Sequence, residues 1–149
     1  MNTEQAVPLR ASSLRGWYRR PLGQLLANEE TRALAEELPR LFGYHLLVID
    51  PPSEDCPLHD SSIPQHVIQR VQADAGDHPG MMAHTDAWPV MTDTVDAIVL
   101  PHSLELSHDP HQVLREADRC LIPDGHLVVF GFNPRSLWGV RRLLTRGAK

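Results

Sequence analysis

The run Pro101-His102-Ser103-Leu104-Glu105-Leu106-Ser107-His108-Asp109-Pro110-His111 places three imidazoles and two carboxylates within eleven positions. Such groups can relay a proton, orient a polar ligand or hold a cation. Zinc takes His, Asp and Glu ligands, and a cysteine could complete the set. However, no Cys-x-x-Cys or His-Glu-x-x-His framework accompanies them, and His108 and His111 straddle a helix start. No metal is therefore expected. His102 and Glu105 are the better pair: either could act as a base or hold a substrate in line. The alternative for both is a loop polar group that caps and hydrogen-bonds. No Gly-x-Ser-x-Gly and no phosphate-binding Gly-Lys-Ser/Thr pattern occurs, so serine hydrolase and nucleoside triphosphatase readings have no support.

The elements around this run say where it sits. Asp93-Thr94 opens a turn, and Val95-Asp96-Ala97-Ile98-Val99-Leu100-Pro101 continues as an almost unbroken apolar strand. A helix follows, with Asp109 at its N-cap, Pro110 in its first turn and Gln112 placed for a capping box. Val113, Leu114, Ala117, Cys120 and Leu121 recur at helical spacing and give it a buried face. Pro123-Asp124-Gly125 predicts a turn, and Leu127-Val128-Val129-Phe130-Gly131-Phe132 a second apolar strand. Continuous apolar strands joined by a helix point to a parallel sheet covered on both faces. A right-handed crossover then puts the His102–Glu105 loop at the carboxyl edge of the sheet, where open α/β sheets bind ligands.

Upstream the pattern is thinner. Residues 1–13 carry no periodicity and are expected to be mobile. Trp17, Tyr18, Leu22, Leu25 and Leu26 begin a helical pattern, with Pro21 tolerable in a first turn. It resumes at Ala33, Leu34 and Leu38 after the polar interval 28–32, which leaves open whether one continuous helix forms, and Pro39 stops it. Leu46-Leu47-Val48-Ile49 predicts a short strand ending in Asp50, and Val67-Ile68-Gln69-Arg70-Val71 a second. A short third strand is expected over residues 81–84.

The chain has 149 residues, 42% hydrophobic and 22% charged, with a net charge of −5. That size fits one domain with one core. The acidic balance argues against nucleic acid as an obligatory partner. No apolar run reaches membrane-spanning length and no signal-peptide core is present, so a cytoplasmic protein with no membrane partner is expected. Cys56 and Cys120 are too few for a disulfide framework, and Cys120 falls on the buried helix face.

Asp93 through Asp96, Leu104-Glu105, Asp109-Pro110, Leu114-Arg115-Glu116, Arg119, Leu121, Pro123 and Gly125 together resemble the second half of a class I S-adenosylmethionine-dependent methyltransferase of the type 11 branch. His102, Phe132-Asn133-Pro134 and Ser136-Leu137-Trp138-Gly139 are similar to a little-characterised bacterial group within it. The match is clear over about residues 85–144. It implies a Rossmann-like fold over residues 14–149, S-adenosylmethionine as cofactor and a small-molecule acceptor beside His102 and Glu105.

The resemblance also implies cofactor roles. Asp50 would lie near the methionine or ribose portion, and Asp74 is the candidate for the ribose hydroxyls. Asp86 and Ala87 would read the adenine edge, with Trp88 stacked on the base and Pro101 lining the site. The alternative for Asp86 is an ordinary turn before Pro89. One departure stands out. The loop Asp50-Pro51-Pro52-Ser53-Glu54-Asp55-Cys56-Pro57 has no glycine, two prolines without N–H donors and extra carboxylates. It keeps open a second reading, a methyltransferase-like binding or assembly module without catalysis.

In the family two further strands follow the fifth, and nothing after Phe132 reads as a strand. Leu127 to Phe132 would then form an uncovered apolar edge, which favours a homodimer, a partner strand, or a longer parent protein.

Overall fold

The computed structural model describes residues 11–49, 58–71, 81–83 and 87–132. Asp50, Cys56, Asp74 and Asp86, together with residues 133–149, lie outside the described residues.

Five parallel strands form one sheet in the order β3-β2-β1-β4-β5. They are β1 (His45–Ile49), β2 (Gln65–Val71), β3 (Met81–Ala83), β4 (Val95–Pro101) and β5 (Leu121–Phe130). β1, β4 and β5 are adjacent and parallel, with β4 between the other two. The order reverses between β1 and β4, which makes their carboxyl ends the topological switch point.

Both faces of the central strands are covered, which is why their sequences run apolar without alternation. Leu47, Ile49, Ile98 and Leu100 pack with Trp88, Val113, Ala117 and Cys120 on one face. Leu46, Val48, Ala97 and Val99 pack with Leu34, Leu38, Leu41 and Ile63 on the other. No helix among the described residues is long and apolar enough to cross a membrane.

The N-terminal segment departs from expectation. α1 (Ala11–Tyr18) begins inside the stretch read as unpatterned, and α2 (Pro21–Glu37) runs unbroken through residues 28–32. The two helices are separated just before Pro21, because proline cannot continue a helix but suits a first turn. The turn is tight: a Cβ on Gly23 would collide with the Trp17 carbonyl oxygen. The helices therefore meet backbone to backbone there, and Tyr18 is turned toward the body of the protein.

α4 (Pro110–Cys120) starts as predicted, with the Asp109 carboxylate accepting from the Gln112 N–H at 3.0 Å. The reciprocal half of the capping box is replaced. The Asp109 N–H donates to Ser107 Oγ at 3.1 Å, while the Gln112 side chain accepts from Arg115.

β5 is longer at its start and shorter at its end than expected. Leu121 already pairs with Val95, and the ladder resumes at Ala97 with His126. Pro123–Gly125 is thus an irregularity inside the strand, with Asp124 in the left-handed region at φ 67°. The strand stops at Phe130 because the Phe132 N–H leaves the ladder and donates to Glu105 Oε1 at 2.6 Å. Among the described strands β5 pairs only with β4, and Leu127 and Val129 are exposed.

Candidate active site at the carboxyl edge of β4

Where β4 ends, His102 takes a left-handed conformation, φ 58° and ψ 12°. Non-glycine residues rarely adopt it, and such strain concentrates at functional sites. Its N–H still donates to the Phe130 carbonyl at 2.9 Å, so the sheet holds the backbone while the side chain turns inward. The ring is 1% exposed. The loop contains a short helix, α3 (Ser103–Leu106). Ser103 Oγ donates to the Ile49 carbonyl at 3.2 Å, tying this turn to the end of β1.

Two residues that sequence reasoning did not single out hold the imidazole. Tyr18 Oη lies 2.7 Å from Nε2 and donates to Glu30 Oε2, also at 2.7 Å. Glu30 Oε1 lies 2.8 Å from the same Nε2. With the tyrosine proton committed to Glu30, both contacts at Nε2 require an N–H, which fixes a proton on that nitrogen. Phe132 stacks on the other side of the ring, with centroids 4.3 Å apart.

Burial alone would depress the imidazole pKa, but the Glu105 and Glu30 carboxylates outweigh it and push the value up to about 9. Burial works against ionisation of Glu105, yet the His102 ring and the Phe132 N–H hold its carboxyl below the usual range. Tyr18 is pushed up, first by burial and then by its bond to Glu30. At neutral pH the site is therefore an imidazolium between two carboxylates, with a net negative charge.

One part of it is unfinished. His102 Nδ1 and Glu105 Oε2 are 3.7 Å apart, too far for a direct hydrogen bond. Both are buried without a hydrogen-bond partner. A donor N–H beside an acceptor oxygen suits a small polar group placed between them.

The candidate cofactor residues are only partly visible. Pro101 is buried at the end of β4, and Ala87 is exposed on the segment before it. Trp88 is 5% exposed and belongs to the apolar layer with Ile49 and Leu100, so its ring is a core side chain rather than an open stacking platform. His108 and His111 lie exposed at the start of α4, whereas the His102 ring is buried. Among the described residues no three His, Cys, Asp or Glu side chains are grouped to hold a metal.

Sheet order, switch point and the site just beyond β4 define a class I methyltransferase fold. Residues 31–129 match the profile of a methyltransferase domain family, and the chain belongs to that family. It is 35% identical over 132 residues to the uncharacterised protein YafS of Escherichia coli K12, covering 86% of this chain and 52% of that one. The chain thus spans about half the length of this curated relative. A putative S-adenosylmethionine-dependent methyltransferase from Methanococcus maripaludis superposes with a TM-score of 0.57 at 15% identity, over 99% of this chain and 76% of its own. An S-adenosylmethionine-dependent methyltransferase from Aquifex aeolicus gives 0.55 at 15% identity, over 94% and 88%. These likenesses establish the fold.

Proposed function

We propose that the chain is a cytoplasmic S-adenosylmethionine-dependent methyltransferase domain whose small-molecule acceptor binds against His102 and Glu105. The observation that carries this is the unpartnered pair His102 Nδ1 and Glu105 Oε2 at the carboxyl edge of β4, in a chain of this family.

When bound, the cofactor supplies an electrophilic methyl group on a sulfonium centre. The net negative charge of the Glu30–His102–Glu105 cluster suits that cation. Asp50, Asp74, Asp86 and Ala87 are the residues that would hold its methionine, ribose and adenine parts, with Pro101 lining the site. Glu30 and Tyr18 lock the His102 ring so that Nδ1–H points at one fixed place. Glu105, held ionised, accepts a proton from an acceptor that must lose one. Oriented polar contacts of this kind raise the rate mainly by alignment.

Isothermal titration of the full chain with S-adenosylmethionine and S-adenosylhomocysteine tests the reading. We expect weak binding, because the loop at residues 50–57 offers few N–H donors and adds carboxylates. Asp86→Ala should weaken it further. A chain that binds neither compound is not a methyltransferase.

A second reading has its own observation, the exposed Leu127 and Val129 on edge strand β5. It makes the chain an assembly module, pairing through this edge with a second copy or with another strand. Light scattering at micromolar concentration decides: a dimer without cofactor binding favours this reading, and a monomer that binds cofactor removes it.

A further inference from the structure

Gln69 is fully buried on β2, and neither its Oε1 nor its Nε2 meets a hydrogen-bond partner. Among the described residues the other buried side-chain atoms in this state are His102 Nδ1 and Glu105 Oε2. A primary amide with nothing to bond to is a poor core residue, since methionine or leucine would fill the space without losing hydration. It belongs there only if something else satisfies it.

Its register says where that something lies. Gln69 is aligned with Ile49, the last residue of β1, and with Met81, the first of β3. It therefore stands near the carboxyl edge, on the face it shares with Ile49, toward the layer that contains Trp88. A carboxamide presents an acceptor and a donor side by side in one plane. The group that satisfies both at once is a flat edge carrying a donor next to an acceptor. Adenine has such an edge in its amino group and N7, and glutamine pairs with it bidentately.

We propose that Gln69 reads the amino–N7 edge of the adenine of a bound nucleoside cofactor. The inference rests on the methyltransferase reading for the identity of the nucleoside, and on the orphaned amide for the contact. It complements Asp86 and Ala87, whose expected contacts take the amino group and the opposite ring nitrogen. Only one of the two amino hydrogens is needed by each side.

Titration of the full chain with S-adenosylhomocysteine and with its 7-deaza analogue, beside a thermal melt without ligand, tests this. Wild type should bind the 7-deaza compound about tenfold more weakly, because the amide N–H then faces a C–H. Gln69→Met should bind S-adenosylhomocysteine about tenfold more weakly and no longer distinguish the two compounds. Its ligand-free melting temperature should be unchanged or higher, because the orphaned amide is gone.

Equal affinity of wild type for both compounds overturns the proposal, as does undiminished binding by Gln69→Met. A Gln69→Met chain that melts several degrees lower also overturns it, since the amide would then be structural. If Gln69→Met does not fold, the wild-type comparison and Gln69→Leu decide. A wild type that binds neither compound overturns the methyltransferase reading along with this one, whereas the preceding outcomes leave that reading standing.

Discussion

Two polar clusters flank β4, and they differ in whether they are finished. Near its start, Arg119 at the end of α4 donates to both oxygens of Glu116, and to the carbonyls of Trp88 and Val90 at 3.1 and 2.8 Å. A further bond reaches Thr92 Oγ1, and Glu116 Oε2 also accepts from the Trp88 N–H. Every N–H direction of the guanidinium has an acceptor. Near the end of β4, the cluster around His102 is more deeply buried and leaves a donor and an acceptor open.

A closed network fixes a loop, and an open one waits for a ligand. The first stabilises the native state by satisfying groups that folding removed from water. The second costs stability unless its open groups are met, and proteins retain such sites where function requires them. Gly43 on the amino side makes the same point as Arg119. At φ 144° it lets the Tyr44 and His45 N–H groups both reach Asp96 at 2.9 Å, again with no loose end.

The contrast predicts opposite phenotypes, and the largest belongs to the open cluster. His102→Asn should reduce the proposed methyl transfer on the order of 100-fold or more. Turnover of any acceptor found by screening checks this against wild type. Glu30→Gln should act in the same direction through His102, because a neutral amide no longer sustains the imidazolium. If His102→Asn lowers only the melting temperature, the open cluster is structural and the contrast fails.

Arg119→Ala should do the reverse. It strips acceptors from the loop that carries Trp88 and leaves Glu116 unpaired, costing about 2–3 kcal/mol of stability by urea denaturation. Activity per folded molecule should hardly change. A large loss of activity at full stability would mean that the Arg119 clamp sets the site rather than the loop alone.

How much of this was legible in the sequence depended on how far apart the interacting residues lie. β1, β4 and α4 announced themselves, the strands by continuous apolar runs and the helix by Asp109-Pro110 ahead of a periodic face. His102 and Glu105 are three positions apart on one loop, so their pairing could be seen. Tyr18 and Glu30 lie 84 and 72 positions from His102, and no local pattern marks them. Only packing of α1 and α2 brings them in. Trp88 was given a stacking role only by the resemblance, and the structure shows its ring as part of the apolar layer on the sheet face. The early end of β5 came from a side-chain acceptor, Glu105, outcompeting the ladder for the Phe132 N–H.

The open cluster also titrates. His102 has its pKa raised from 6.5 unfolded to about 9 folded. The stability this contributes is fully present below pH 6.5 and is lost as pH rises through about 9. The unfolding free energy should therefore fall across that window, by an amount on the order of 1–3 kcal/mol. His102→Asn should flatten the slope, while Arg119→Ala should leave it intact. The same slope in both variants would assign the titration elsewhere.

The smallest effect tests the boundary between the clusters. Asp109 sits between the His102 loop and α4, and its carboxylate could be assigned to either. Its side chain accepts from the Gln112 N–H, and its own N–H is met by Ser107 Oγ, so the local bonds describe a helix cap. Removing a cap of this kind costs about 1 kcal/mol. Asp109→Ala should lose that much by denaturation, and Asp109→Asn should recover most of it, because an amide oxygen caps nearly as well. Neither change should alter transfer per folded molecule, nor the pH slope set by His102. If Asp109→Asn keeps the stability but loses activity, the carboxylate charge itself is used. The open cluster would then extend past His102 and Glu105 to the start of α4.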